Sequence, residues 1–234
     1  MANIAIIPAR GGSKRIPKKN IKSFLGKPIL AYSIEAALKS GLFDEVMVST
    51  DSEEIAEVAT NYGAKVPFLR SENNANDFAV LADVVKEVLQ EYQSNNTIFN
   101  NVCCILPTAP FTTSSKIKEA YTELVINNFD SVFPVLEFSF PIQRSLQIEA
   151  NKVSMVAPEH LNTRSQDLAP RYHDSGQFYW LTTKSFHDNE KLLTSNSGAI
   201  IISELEAQDI DTETDWKLAE IKYKLALNEE KNTF

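Results

Sequence analysis

The first apolar segment of the chain and the loop after it are Ile4-Ala5-Ile6-Ile7-Pro8-Ala9-Arg10-Gly11-Gly12-Ser13-Lys14-Arg15-Ile16-Pro17-Lys18-Lys19-Asn20. An apolar run that ends at Pro and Gly predicts a buried strand leaving a sheet. Glycines allow the backbone that follows to turn its N–H groups toward an anion, and Arg and Lys side chains add positive charge. The stretch therefore predicts a strand followed by a phosphate-binding loop.

This loop follows neither of the two common phosphate-binding patterns. The P-loop pattern Gly-x-x-x-x-Gly-Lys-Ser/Thr and the dinucleotide pattern Gly-x-Gly-x-x-Gly are both absent from residues 8–20. A run of charged residues is also typical of a solvated turn, so the loop by itself leaves both interpretations open.

The composition disfavours several classes of protein. The 234 residues are 43% hydrophobic, which disfavours disorder and allows a substantial core. A net charge of -8 disfavours a general nucleic-acid binder. Cys103 and Cys104 are adjacent, which is poor geometry for a metal site or a disulfide, and free thiols fit a reducing compartment. With no signal peptide or membrane-length apolar run recognised, we expect a cytoplasmic protein that does not bind membranes.

Apolar periodicity then alternates between strand and helix. In chain order it predicts a helix over 29–40, a strand over 45–49, a helix from about 52 to 62, a strand over 66–69, a helix capped by Asp77 and ending near 92, a strand over 101–106, a helix over about 114–127, strands over 130–135 and 199–203, and a last helix over 215–227. This alternation predicts an α/β fold with a Rossmann-like, mostly parallel sheet sandwiched by helices.

Ligands of such sheets bind at the carboxyl ends of the strands. Residues 10–20, 49–51, Arg70 and Pro107-Thr108 should therefore meet in one crevice.

The pattern changes between Leu136 and about Tyr179, where prolines, aromatic residues and short alternating runs replace the helical periods. We interpret residues 136–180 as a β-rich excursion inserted into a single domain of residues 1–234.

A pair of carboxylates, Asp209-Ile210-Asp211, lies between the last predicted strand and the last helix. Alternation along an extended segment places both carboxylates on one side, where they would form a hard-oxygen site suited to Mg²⁺ with a bound triphosphate. Acidic residues are also common in the first turn of a helix, and that alternative stays open for the pair taken alone.

Three motifs together resemble one family. They are Arg10-x-x-Ser13-Lys14-Arg15-Ile16-Pro17-x-Lys19-Asn20, the Asp209-x-Asp211 pair, and Arg164-Ser165-Gln166 followed by the stretch from Tyr172 to Trp180. They are similar to the CMP-sialic acid synthetases, which are cytidylyltransferases that activate nine-carbon acidic sugars with CTP. Asp174-Ser175-Gly176-Gln177-Phe178 stands where sialic acid enzymes usually have Asn-Gly-Ala, and Leu106 stands where they usually have Gln. The first departure resembles the pseudaminic acid branch of the family, and Leu106 disfavours sialic acid itself and favours a differently decorated relative.

The resemblance implies that the anomeric hydroxyl of the sugar attacks the α-phosphorus of CTP and that pyrophosphate leaves. It also implies Mg²⁺ as cofactor and a homodimer in which the excursion reaches over the partner subunit. Asp211 or a metal-bound hydroxide are open alternatives for the proton acceptor. The implied site residues are catalytic Arg10, Lys19 and Asp211; nucleotide-binding Arg10, Gly11, Gly12, Ser13, Lys14, Arg15, Lys19, Asn20, Arg70, Asp77, Pro107 and Thr108; sugar-binding Arg164, Gln166, Tyr172, Asp174 and Gln177; and metal-binding Asp209 and Asp211.

Two alternatives accompany the expected CTP-dependent activation of pseudaminic acid. One keeps the chemistry but changes the sugar to N-acetylneuraminic, legionaminic or 3-deoxy-octulosonic acid. The other is a nucleotide-binding protein without turnover, which would not need two carboxylates aimed at the α-phosphate.

Overall fold

The computed structural model describes residues 1–232, which form an α/β fold. Its strands are β1 (Asn3–Pro8), β2 (Ser23–Phe24), β3 (Lys27–Pro28), β4 (Glu45–Ser49), β5 (Asn101–Ile105), β6 (Ser131–Glu137), β7 (Leu146–Glu149), β8 (Lys152–Met155), β9 (Tyr172–Asp174), β10 (Phe178–Thr182) and β11 (Ser197–Ile201). Its α-helices are α1 (Ile29–Ser40), α2 (Glu53–Asn61), α3 (Glu72–Ala75), α4 (Leu81–Ser94), α5 (Ser114–Ile126), α6 (Thr183–Asn189) and α7 (Glu213–Asn232).

Seven strands form the central sheet, six of them in the order β11-β6-β10-β5-β1-β4. The pairs β1–β4, β1–β5 and β6–β11 are parallel, whereas β10 runs antiparallel to both of its neighbours. The seventh strand, β9, extends the sheet beside β6 in antiparallel orientation. The expected mostly parallel sheet between helices is confirmed, with β10 as an antiparallel strand that the helix–strand alternation did not predict.

Strand β1 shows why helices cover both faces of this sheet. All six of its residues are buried, and their side chains alternate between two apolar clusters. Ala5 and Ile7 join the cluster that contains α1, α2 and α5, while Ile4 and Ile6 join the cluster that contains α4 and α6. The adjacent Cys103 and Cys104 divide between the same two clusters as buried free thiols.

Helix α7 is packed against the chain's first loop by a third cluster. Phe24 and Trp216 meet edge to face with their ring centroids 5.6 Å apart, and Ile210 is fully buried in the same cluster. The buried side chain of Ile210 therefore anchors the segment that carries Asp209 and Asp211. Within residues 1–232, no helix has the length and apolar character needed to cross a membrane.

Two local predictions were wrong. The strand expected over 66–69 is an extended segment beside the sheet edge, joined to β4 by the hydrogen bonds of Lys65 and by one from Arg70 N–H to the Thr50 carbonyl. Pro67 lies between these contacts and has no N–H to donate to a ladder. Asp77 does not cap α4, which begins at Leu81 with Val80 as its N-cap.

The region after β6 contains the expected short antiparallel strands. Strands β7 and β8 form a hairpin of their own, and β9 then returns to the central sheet by pairing with β6. The next strand, β10, pairs with β5 and β6 in the same sheet, so the chain is back in the main fold from Tyr172 onward. Alternation alone does not distinguish an excursion strand from an antiparallel strand of the main sheet, which explains the later boundary expected near residue 180.

Candidate active site

The loop after β1 borders a cleft of about 450 Å³ at the carboxyl ends of β1 and β5. Nine of the residues named from the sequence as nucleotide-binding line it: Arg10, Ser13, Lys14, Arg15, Lys19, Asn20, Asp77, Pro107 and Thr108. Pro8, Ile16, Leu81 and Leu106 complete the wall. The structure thus brings together residues that are about 100 positions apart in the chain, as expected for strand ends of a parallel sheet.

Two side chains hold the loop in shape by hydrogen bonds to its backbone. Asn20 is buried and its side-chain amide donates to the Arg10 carbonyl oxygen over 2.9 Å. The Gly11 N–H donates to Asp51 Oδ1 over 2.7 Å, and a Cβ at Gly11 would lie 3.2 Å from the Ser52 Cβ. Gly11 therefore allows the loop to lie close to the end of β4, with its N–H bonded to Asp51.

Four cations face the cleft, and two carboxylates neutralise them in pairs. Asp77 contacts Arg10, with 2.7 Å between Nη1 and Oδ1, and also Lys14. Asp211 contacts Arg15, with 2.8 Å between Nη1 and Oδ2, and is 3.7 Å from the Lys19 ammonium. Hydrogen bonds from Lys14 and Arg10 lower the pKa of the exposed Asp77 carboxyl. Asp77, which the resemblance implies as nucleotide-binding, thus lies among these cations in the wall of the cleft.

Lys19 connects the loop to the carboxylate pair. Its ammonium donates to the Ile210 carbonyl oxygen over 2.7 Å. Burial lowers the pKa of Lys19, an effect opposed by the nearby Asp211 and Asp209 carboxylates. Burial, and then the charge of Asp211, raise the pKa of Asp209. The two carboxylates are therefore close enough to repel each other, in a setting where a cation would be stabilised.

Asp209 faces a second cleft, of about 510 Å³. Its wall is formed by Leu136, His173, Asp174, Ser175, Glu204, Ala207, Gln208, Asp209 and Lys222. Asp174 accepts hydrogen bonds from the Gly176 N–H at 2.7 Å and from the Tyr179 hydroxyl. Burial and the hydrogen bond to Asp174 raise the pKa of Tyr179. The Asp-x-Asp segment thus lies between a cationic cleft and a second, mixed polar cleft.

Arg70 and Gln177 are placed differently from the sequence expectation. Arg70 is 7% exposed, and its guanidinium donates to the Ser49 hydroxyl over 2.9 Å and to the Ser49 carbonyl oxygen. Gln177 is 3% exposed, and its amide donates to the Glu206 carbonyl oxygen. In this structure both side chains secure neighbouring backbone, and neither lines the two clefts.

The remaining sugar-binding candidates belong to the inserted region. Arg164 is exposed and pairs with Asp167 over 2.8 Å within one short helical turn that also contains Gln166. Tyr172 begins β9 and is partly exposed. Among the described residues that line the two clefts, neither Arg164 nor Gln166 occurs, so this chain alone brings only Asp174 of the five to the second cleft.

Sequence reasoning missed Ser175. Its hydroxyl oxygen is buried without a hydrogen-bond partner among the described residues, and the residue lines the second cleft beside Asp209. A buried hydroxyl without a partner costs free energy, which makes it a candidate for a ligand contact. The Ser-Gly sequence that follows Asp174 was the available signal, since a small residue before Gly176 marks a turn.

Comparisons with known proteins show the family of the chain. Residues 4–227 match the model of a family described as cytidylyltransferase. The pseudaminic acid cytidylyltransferase of Campylobacter jejuni subsp. jejuni serotype O:2 is 46% identical over 96% of this chain and 97% of its own length. The CMP-N,N'-diacetyllegionaminic acid synthase of Legionella pneumophila is 37% identical over 94% of this chain and 95% of its own.

A solved structure supports the fold independently of close sequence similarity. CMP:2-keto-3-deoxy-manno-octonic acid synthetase complexed with CTP superposes with a TM-score of 0.71 at 16% identity, covering 97% of this chain and 100% of that one. The family match and the sequence relatives confirm the resemblance inferred from the three motifs. The chain belongs to the cytidylyltransferase family and is a nucleotidyltransferase.

Proposed function

We propose that this chain activates pseudaminic acid with CTP and forms CMP-pseudaminic acid and pyrophosphate. The observation that carries the proposal is 46% identity, over almost the entire chain, to a pseudaminic acid cytidylyltransferase. The cleft supports it, because four cations of one loop surround a space open to a triphosphate. Incubation with CTP, Mg²⁺ and pseudaminic acid should yield a CMP-sugar detectable by mass spectrometry; failure to form it with this sugar would reject the proposal.

The proposed reaction is an in-line displacement at the α-phosphorus. The anomeric oxygen of the sugar forms the new bond to phosphorus, the bond from phosphorus to the bridging oxygen of the β-phosphate breaks, and the hydroxyl proton is released. Arg10, Lys14 and Lys19 would hold the triphosphate, with Arg15 beside them. Positioning and charge stabilisation provide most of the acceleration in such transfers. We assign the catalytic roles to Arg10, Lys19 and Asp211, as the sequence indicates.

Mg²⁺ is the proposed cofactor, and the residues present fit it. Within the part of the chain that the structure describes, no group of three or more His, Cys, Asp or Glu is arranged around a metal position. The protein would therefore contribute two carboxylates, Asp209 and Asp211, which is a usual share for Mg²⁺ bound together with substrate phosphates. Burial, and then the charge of Asp211, raise the pKa of Asp209, and a divalent cation would relieve the repulsion between the two carboxylates. When bound, Mg²⁺ neutralises negative charge on the triphosphate.

The second cleft is the proposed position of the sugar. It shares Asp209 with the metal pair and offers Asp174 and the Ser175 hydroxyl to a polyhydroxylated ligand. The reacting end of the sugar must reach the α-phosphate in the first cleft, where Leu106 supplies an apolar surface. An apolar wall suits a deoxygenated sugar, because fewer hydroxyl groups are left unpaired against it.

We further propose a homodimer. The β7–β8 hairpin pairs Leu146 with Met155 and Ile148 with Val153, which places four apolar side chains on one face of a two-stranded ribbon. Leu146, Ile148 and Val153 are each more than 60% exposed. A second copy of the chain would cover this face and would bring Arg164 and Gln166 of the excursion toward a partner's site. Sedimentation of the wild type should give the mass of a dimer, whereas a monomer would reject this assembly.

The proposed location is the cytoplasm. Cys103 and Cys104 are free and buried, and burial raises the pKa of Cys104 to about 12. Thiols in this state are unreactive and fit a reducing compartment.

A further inference from the structure

The segment over residues 76–80 is attached to the phosphate loop through one acidic residue and its neighbour. Asp77 contacts both Arg10 and Lys14, and the Arg10 guanidinium also donates to the Asn76 carbonyl oxygen over 3.0 Å. These are the same cations that the proposed function assigns to the triphosphate of CTP. The carboxylate of Asp77 therefore occupies the position of an anion beside these cations.

Both ends of this segment are held in place, and the residues between the ends form a separate turn that can move as a unit. At its beginning, Glu87 of α4 accepts the Ser71 N–H over 2.7 Å and also contacts Asn74, which fixes the residues of α3. At its end, the segment enters α4. Between these ends, the Asn76 side chain accepts the N–H groups of Phe78 and Ala79 at 2.7 and 3.0 Å, so residues 76–79 form a compact turn.

Phe78 is at the tip of this turn and is 91% exposed. The cationic contacts of Asp77 are also solvent-accessible, with side-chain exposures of 36% for Arg10, 77% for Lys14 and 41% for Asp77. Exposed ion pairs contribute little to stability and are readily exchanged for a stronger anion. A triphosphate brings several negative charges to the cleft, whereas Asp77 brings one.

We propose that Asp77 is an internal counter-anion that the triphosphate displaces, and that its release frees residues 76–80, with Phe78, to rearrange at the mouth of the cleft. This inference rests on the proposed function, because it takes CTP as the ligand. Asp77 is then a positioning residue: it keeps Arg10 and Lys14 oriented until the nucleotide enters, and then leaves them. The ion pairs of Asp77 therefore weaken the binding of CTP, whereas a residue that contacts cytosine or ribose would strengthen it.

The test is the binding of three probes, without Mg²⁺, to wild type and to Asp77→Asn. The probes are CTP, inorganic tripolyphosphate and cytidine. If the triphosphate displaces Asp77, Asp77→Asn should bind CTP and tripolyphosphate about two- to tenfold more tightly than wild type, as expected for the loss of exposed ion pairs. It should bind cytidine as tightly as wild type does. The gain should shrink as salt is raised, because the contacts are exposed.

Glu54→Gln is the matched control. Glu54 pairs with Lys18 of the same loop over 2.7 Å, but neither residue lines the cleft, so this variant should bind CTP like wild type. Weaker binding of CTP and cytidine to Asp77→Asn would overturn the inference in favour of a nucleoside contact. Unchanged binding of CTP and tripolyphosphate would overturn it as well. A wild type that does not bind CTP at all would instead reject the proposed function.

Movement of the segment has a separate readout. With Phe78→Trp as reporter, CTP should change the emission of the introduced indole. The double variant Asp77→Asn/Phe78→Trp should show part of that change before CTP is added, because the segment is already released. An emission that CTP does not alter in the reporter protein would overturn the rearrangement.

Discussion

The Lys19 ammonium donates a hydrogen bond of 2.7 Å to the carbonyl oxygen of Ile210, across 191 positions of the chain. Ile210 is the residue between Asp209 and Asp211, and its side chain is fully buried. One cation of the phosphate loop thus fixes the backbone that carries both acidic side chains. The loop and the carboxylate pair are therefore one structural unit, although they come from opposite ends of the sequence.

Replacing Lys19 should affect both halves of this unit. We expect Lys19→Met to lower kcat/KM for CTP by about 100-fold or more, because a preorganised charged donor is lost. The apparent affinity for Mg²⁺ should weaken as well, since the Ile210 carbonyl loses its donor. Lys18→Met is the matched control, because Lys18 pairs with Glu54 outside the cleft. Steady-state kinetics with CTP and Mg²⁺ varied in turn would measure both effects, and a Lys19 variant that behaves like the Lys18 variant would contradict the prediction.

Burial of Lys19 also predicts the response to alkaline pH. Its pKa is lowered from the ordinary lysine value of 10.5, so the ammonium loses its proton earlier than an exposed lysine does. The rate of transfer should accordingly fall as the pH rises toward a midpoint below 10.5. In Lys19→Arg the side chain stays charged, so any residual activity should persist to higher pH. Superimposable alkaline profiles for the two proteins would show that Lys19 is not the titrating group.

Asp209→Asn should lower the activity of the protein without lowering its stability. Because the folded-state pKa of Asp209 is raised, its stabilising contribution is complete below the ordinary value of 3.8 and is lost as the pH rises through the raised value. At neutral pH the ionised carboxylate therefore destabilises the folded protein when no metal is bound. We expect Asp209→Asn to lose Mg²⁺-dependent turnover by about 100-fold or more while its Tm stays equal or rises. Asp211→Asn should lose turnover too; near wild-type rates at saturating Mg²⁺ in both variants would reject the metal assignment.

Leu106→Gln tests the wall of the cleft. The Leu106 carbonyl oxygen accepts from the Ser33 hydroxyl over 2.7 Å, and its N–H donates to the Gln177 carbonyl oxygen over 2.8 Å. Since the backbone is held on both sides, the substitution mainly changes the side chain. It should shift the ratio of kcat/KM from pseudaminic acid toward N-acetylneuraminic acid by about tenfold, within the usual range of roughly 1–3 kcal/mol for one unpaired polar group. A ratio that stays the same would show that Leu106 does not face the sugar.

Much of the frame could be predicted from local signals. Helix α1 has the bounds expected from its apolar spacing and ends at Gly41, whose φ of 64° is readily adopted by glycine. The cationic loop was recognised because a buried strand and two glycines precede it. The meeting of this loop with Pro107 and Thr108 in one cleft followed from the general rule that strand ends converge in a parallel sheet.

The errors concern contacts that depend on distant partners. Asp77 resembles a helix cap in sequence, but its tertiary contacts with Arg10 and Lys14 determine its position. Strand β10 alternates like any antiparallel strand, and only pairing with β5 and β6 places it within the central sheet.

The central claim, that this cytidylyltransferase acts on pseudaminic acid, is tested most directly by one comparison of rates. Purified wild-type protein is given saturating CTP and Mg²⁺, and pyrophosphate release is measured with pseudaminic, N,N'-diacetyllegionaminic and N-acetylneuraminic acid varied separately. We predict the highest kcat/KM for pseudaminic acid. An equal or higher kcat/KM for either of the other two sugars would contradict the substrate assignment, and the membership of the chain in the cytidylyltransferase family would stand.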